Sequence, residues 1–147
     1  MIKIIAVGKM NQKGIEESMR YYMKQCPVKM EIIEVLDEAS EQGKTIEGER
    51  ILSKIKDTDD VVCLAILGKM YSSEEFAKML DEKMTYATKD IVFIIGGSYG
   101  LSDAVYERAN TQISFSKMTF PHQLMRLILV EQLYRGFMIL KHHPYHK

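Results

Sequence analysis

What this sequence has little of narrows its class first. Cysteine occurs twice in 147 residues, as Cys26 and Cys63, in unrelated segments without the spacing of a zinc or redox pair. That argues against a disulfide-built scaffold and a cysteine-ligated metal, and free thiols point to the cytoplasm. No apolar run approaches the roughly 20 residues that a membrane helix needs. The opening Met1–Gly8 stretch is apolar but short, lacks a basic leader and a small-residue cleavage site, and reads as a first strand. No Pro/Gly/Ser linker, internal repeat or low-complexity tract breaks the chain, so residues 1–147 read as one domain. At 46% hydrophobic and 27% charged, the composition is that of a folded chain and not a disordered one.

Net charge is absent too, since 20 basic side chains balance 20 acidic ones. The balance is uneven along the chain. Residues 115–147 hold Lys117, Arg126, Arg135, Lys141 and Lys147 against Glu131 alone, and His122, His142, His143 and His146 lie there as well. A local excess of this kind can meet phosphates without a basic protein overall. A solvated helix face and tail would also account for it.

Strand and helix signals alternate. Val/Ile-rich runs fall at Ile2–Val7, Val28–Val35, Val61–Leu67, Ile91–Ile95 and Gln112–Phe115. Helical patterns fall at Gly14–Lys24, Thr45–Ile55, Ser73–Ala87, Ser102–Ala109 and His122–Leu140. Ser72 with Glu75, and Ser102 with Asp103, supply start signals. The alternation predicts an α/β fold with a mostly parallel sheet covered by helices on both faces. The last helix is apolar on so much of its surface that one face calls for a partner, most simply a second copy.

Ligands of open α/β sheets bind beyond the carboxyl ends of the strands. Three such ends carry unusual loops: Leu64–Tyr71, Ile95–Gly100 and Ser114–His122. The Gly96-Gly97-x-x-Gly100 pattern is neither a dinucleotide fingerprint nor a P-loop, and either a tight turn or a ligand loop would explain it. Ser116–His122 places a lysine, two apolar side chains and a proline before a buried helix, which suits a ligand loop or a packed connection. The tail histidines lack supporting acids or cysteines, so no metal site is expected. No serine or cysteine sits in a nucleophile elbow.

These pieces together strongly resemble the SPOUT-class methyltransferases of the ribosomal RNA large subunit methyltransferase H family, small bacterial enzymes acting on N3 of a pseudouridine in 23S ribosomal RNA. The matching segments are Ala6–Lys9, Glu47–Leu52, Leu64 with Gly68-Lys69, Ile95–Gly97 with Gly100-Leu101, Ser114–His122 and Pro144–Lys147. The resemblance spans essentially the whole chain. It implies a trefoil-knotted fold, S-adenosyl-L-methionine as cofactor, and a homodimer whose active site draws on both subunits. Cofactor contacts would come from Leu64, Gly96, Gly97 and the loop Phe115, Ser116, Lys117, Met118, Thr119 and Phe120. His146 or Tyr145 would assist deprotonation of the base or orient it. Arg135 would lie near phosphate or cofactor, with Arg126, Lys141 and Lys147 toward RNA; for both arginines an ion pair with Glu131 is the alternative. The chain departs from the pattern in a short Asp37–Thr45 crossing and in Ala65, where several relatives carry an acid. The rival reading is a flavodoxin-like nucleotide-binding or ribosome-interaction dimer that transfers nothing.

Overall fold

Ile2, Ile4 and Ala6 face one side of the first strand, Ile5 and Val7 the other, and both sets are buried. A strand with two dry faces must sit inside a sheet covered on both sides, which is why its apolar run is nearly continuous. The computed structural model describes residues 1–85 and 89–147. It holds strands β1 (Ile2–Val7), β2 (Met30–Val35), β3 (Asp60–Met70), β4 (Ile91–Ile95) and β5 (Thr111–Ser114). The helices are α1 (Lys13–Gln25), α2 (Lys44–Leu52), α3 (Ser73–Thr85), α4 (Asp103–Arg108) and α5 (His122–Leu140), with a 3-10 turn at Glu41–Gly43.

All strand pairs are parallel, in the order β2-β1-β4-β3-β5. Alternate residues of each inner strand feed two separate cores. Ile4, Val62 and Phe93 meet α1, α3 and α5 on one face, while Ile5, Cys63 and Ile94 meet α2 and α4 on the other. Burial lifts the Cys63 thiol to about 11, so it is an inert apolar side chain at neutral pH.

Helix starts follow the sequence signals. Ser72 Oγ accepts from the Glu75 N–H at 3.1 Å and the Ser72 N–H donates to Glu75 Oε1 at 2.8 Å, a reciprocal capping box. Ser102 Oγ caps α4 through the Val105 N–H. The expected helix end at Ala87 lies outside the described residues.

Two differences from the sequence reading matter for function. β3 runs on to Met70, with Leu64 and Lys69 both registered against Ile113, so Ala65–Gly68 loop out of the ladder. Gly68 permits this: a Cβ there would lie 2.7 Å from the Ile113 backbone. Second, α5 is covered within its own chain more fully than its composition implied. Leu129, Val130, Leu133, Phe137 and Met138 are buried, and α1 and α3 pack against the helix. No helix among the described residues is long and apolar enough to cross a membrane.

Candidate active site

Between the bulge of β3 and the carboxyl ends of β4 and β5 the three loops close around a cavity of about 530 Å³. The bulge after Leu64 forms one wall, Gly96–Leu101 a second, and Ser114–Phe120 a third, with His122 and Met125 of α5 completing it. Each loop has a local cause. The Gly100 N–H donates to the Gly97 carbonyl at 3.1 Å with Gly100 at φ +82°, so the glycine pattern is both a tight turn and a cavity wall. A Cβ at Gly96 would stand 3.1 Å from the Gly100 carbonyl, a tight contact that a side chain would meet only by shifting the turn. In the third loop Ser114 Oγ donates to the Ser116 carbonyl at 3.0 Å, and Ser116 Oγ accepts from the Met118 N–H at 3.0 Å.

Among the described residues, none that lines the cavity is Lys, Arg, Asp or Glu. A ligand with several phosphates would leave its charge uncompensated there, whereas an apolar or zwitterionic ligand held by backbone groups fits. Two apolar side chains of the lining are largely exposed, Leu67 at 97% and Met118 at 72%.

A second cluster lies where the tail folds back. His142 takes φ +57° just past α5, and the His143 N–H returns to the Met138 carbonyl at 2.9 Å, turning the chain onto α3 and α5. Tyr145 packs edge-on against Tyr134 at 4.7 Å, and Arg135 lies 4.8 Å over its ring. Glu131 Oε1 accepts from Tyr145 Oη at 2.9 Å and from Arg135 Nε and Nη2 at 2.9 and 2.6 Å. His146 bridges Arg135 Nη1, 3.0 Å from Nδ1, and Glu74 Oε1, 2.7 Å from Nε2. Burial, then hydrogen bonds with Tyr22 and Glu131, hold the Tyr145 phenol above its usual range. The hydrogen bond to His146 holds the Glu74 carboxyl below its own.

The structure therefore divides the expected residues into two groups. Leu64, Gly96, Gly97, Phe115, Ser116, Met118, Thr119 and Phe120 line the cavity; Lys117 is exposed and stands outside the lining. Arg135, Tyr145 and His146 gather at the other end of α5, with Lys141 and Lys147 exposed near them in sequence. Arg135 lies thirteen residues beyond His122, about 20 Å along a helix. Arg126 belongs to neither group and corrects an expectation. At 1% exposure it cannot meet an RNA phosphate, nor does it pair with Glu131. Its Nη1 pairs with Glu34 at 2.7 Å and its Nη2 donates to the Val7 and Gly8 carbonyls at 3.2 and 2.9 Å. A long side chain on the core-facing stripe of α5, opposite an acidic residue of β2, is the signal that could have placed it. The Arg135–Glu131 pair is the alternative the sequence offered; Glu74 and His122 were missed as site residues, because an acid on a helix and a histidine after proline carry no motif. Among the described residues, no group of three or more His, Cys, Asp or Glu side chains could hold a metal.

Comparison with known proteins places this geometry. The family described as "Predicted SPOUT methyltransferase" matches residues 1–146. The chain is 55% identical over 146 residues to "Ribosomal RNA large subunit methyltransferase H" of Acholeplasma laidlawii, covering 99% of each chain. It is 52% identical over 157 residues to the protein of the same name from Bacillus pumilus, again over 99% of each. Among solved structures, "a probable methylase family protein from Haemophilus influenzae Rd KW20" superposes with a TM-score of 0.55 at 13% identity, covering 96% of this chain and 66% of that one. A putative RNA methyltransferase from Bacillus anthracis gives 0.51 at 12% identity, covering 99% and 97%. At such identities the structures speak for the fold alone.

Proposed function

The chain belongs to the SPOUT methyltransferase family, and from that premise we propose that it methylates N3 of a pseudouridine in 23S ribosomal RNA, using S-adenosylmethionine, as a cytoplasmic homodimer acting on the assembled ribosome. The observation that carries the reading is the cavity between the β3 bulge and the carboxyl ends of β4 and β5, whose lining holds no Lys, Arg, Asp or Glu among the described residues. S-adenosylmethionine has an adenine, a sulfonium and an amino-acid end but no phosphate, so apolar walls and backbone donors suit it. Leu64, Gly96, Gly97 and the Phe115–Phe120 loop would hold it, and the C-terminal segment would thread the trefoil knot of the family. When bound, it supplies a methyl group already activated by positive sulfur.

What remains for the protein is alignment and proton removal. Tyr145, its phenol held above the ordinary range, keeps its proton at neutral pH and serves as a stacking face for the base. His146 is then the group that accepts the N3 proton. Arg135, Lys141 and Lys147 meet phosphates; Lys117, exposed beside the cavity, guards its mouth. Arg135 lies ten residues, about 15 Å along α5, beyond Met125 of its own cavity, and on this separation the tail of one subunit works at the cavity of the other. A nucleotide-binding dimer without transfer is the weaker reading, since the lining holds neither Lys nor Arg to answer the charge of several phosphates.

The test is transfer of labelled methyl from S-adenosylmethionine to unmodified 70S ribosomes, 50S subunits and stripped 23S RNA. Label mapped to N3 of a pseudouridine, strongest on the 70S particle, is the expected result. Label elsewhere would replace the acceptor, and neither label nor cofactor binding would sink the enzyme reading.

A further inference from the structure

We propose that Glu74 is the positioning residue of the proton-accepting histidine: it pairs with His146, and Arg135 caps the imidazole lone pair until RNA draws the guanidinium away. The inference rests on the reading of His146 as base and adds to it a partner and a gate.

The hydrogen-bond inventory dictates the tautomer. Arg135 Nη1 stands 3.0 Å from His146 Nδ1, and a guanidinium only donates, so Nδ1 must carry the lone pair. Glu74 Oε1 stands 2.7 Å from Nε2, and a carboxylate only accepts, so Nε2 carries the proton. The opposite tautomer sets N–H against N–H at 3.0 Å, and an imidazolium adds cation against cation. With both contacts made as hydrogen bonds, the docked ring has its basic nitrogen defined and occupied.

A carboxylate behind one nitrogen and a reacting proton before the other is the arrangement of an oriented general base. The carboxylate sets tautomer and ring plane and balances the cation formed on protonation. The gate follows from how Arg135 is held. Its Nε and Nη2 are taken by Glu131, and Nη1 is the nitrogen turned to His146. The guanidinium is one rigid plane, so a phosphate oxygen that draws it away from His146 uncovers Nδ1 and loosens its contacts with Glu131 in the same movement. The N3 proton then passes to Nδ1, the N3 electron pair forms the new C–N bond, and the breaking S–C pair stays on sulfur as a thioether. Glu74 balances the imidazolium until the proton leaves to water. Around the pair stand Glu74 of α3, Arg135 and Glu131 of α5, His143 and Tyr145 of the tail, and Tyr22 of α1 behind Tyr145. The depressed Glu74 carboxyl agrees with an ionised partner.

Two readouts test this on the full-length protein. Long-range proton–nitrogen spectra of histidine-labelled protein report which His146 nitrogen is protonated and its titration midpoint. Wild type should show the proton on Nε2. E74Q should move the midpoint to lower pH by removing the carboxylate that favours imidazolium, and R135Q should move it to higher pH by removing the neighbouring cation. Glu74 is 64% exposed at its side chain, so E74Q leaves packing intact. On 70S ribosomes, E74Q should lower kcat about tenfold or more, shift the acid limb of the rate profile with the midpoint, and leave KM for the cofactor unchanged. A proton on Nδ1, or an E74Q that moves neither midpoint nor kcat while H146A abolishes turnover, overturns the inference and leaves the base reading standing. Full turnover in H146A overturns both.

Discussion

Arg126→Met removes a guanidinium from the dry interface between α5 and the end of β1 while keeping much of its packing volume. Breaking a buried ion pair by deleting one partner costs about 3–5 kcal/mol when the survivor stays buried. Here the survivor, Glu34, is 37% exposed and keeps the Met10 N–H at 2.7 Å, so it rehydrates and its share falls to about 1 kcal/mol or less. The Val7 and Gly8 carbonyls do not relax as readily. They lose donors at 3.2 and 2.9 Å, at about 1–2 kcal/mol each. Against this, Arg126 Nε is buried without a partner in the wild type, and its removal returns about 1 kcal/mol. The net is a loss of about 2–3 kcal/mol. With a urea m-value of about 2 kcal/mol/M, the midpoint should fall by about 1–1.5 M. The melting temperature should fall by about 5–10 °C. The same variant should leave the salt dependence of ribosome binding unchanged at matched folded fraction, because no phosphate reaches the side chain. A stability loss below about 0.5 kcal/mol, with a salt slope reduced by roughly one, would refute the burial argument and restore Arg126 to the RNA surface.

Three further perturbations address single elements. His142→Gly relieves a left-handed residue after α5 and should stabilise the fold by about 0.5–1 kcal/mol in urea denaturation, unless the tail turn is absent in solution. Gly68→Ala sets a methyl 2.7 Å from the Ile113 backbone; it should cost about 2 kcal/mol or more and weaken cofactor binding in calorimetry, since the bulge it distorts is a cavity wall. Partial burial pulls the Asp90 carboxyl up, but the Met1 ammonium, Lys3 and Lys56 pull it further down, to below its ordinary range. A depressed folded value stabilises above the unfolded value of about 3.9 and loses that gain as pH falls through the folded one. The stability gap between wild type and Asp90→Asn should therefore hold at neutral pH and close in acid below about pH 4; a pH-independent gap would argue against the cluster.

The fold was legible because its signals are local and periodic. Ile2–Val7, Ile91–Ile95 and His122–Leu140 stand where hydrophobic pattern and Pro121 put them, and alternation alone implies the parallel sheet. Eight of the nine residues expected at the cofactor site line one cavity, because the resemblance carries that loop as a unit and loops at strand ends converge. Long-range polar pairing was not legible. Arg126 with Glu34, and Glu74 with His146, are separated by 92 and 72 positions, and nothing local marks an acid as the partner of a distant cation. The bulge at Ala65–Gly68 escaped for the same reason: an apolar run reads as one strand whether or not four residues leave the ladder.

The two-ended distribution of the site leads to a mixing experiment that separates shared from self-contained catalysis. In the proposed dimer each reaction centre takes its cavity from one subunit and its tail from the other. His146→Ala disables the tail, and Ala65→Trp sets an indole on the cavity wall and blocks the cofactor. Each homodimer should be inactive. After mixing equal amounts under conditions that exchange subunits, about half the dimers are mixed, and each holds one centre built from an intact cavity and an intact tail. About a quarter of wild-type activity should return, with label on the RNA as the readout. If instead each chain uses its own tail, every mixed dimer has a tail defect in one subunit and a cavity defect in the other, and mixing restores nothing. Failure to recover activity, with exchange confirmed by a fluorescent label on one variant, would place both halves of the reaction within one chain and require the tail to approach a cavity wall about 15 Å away along α5.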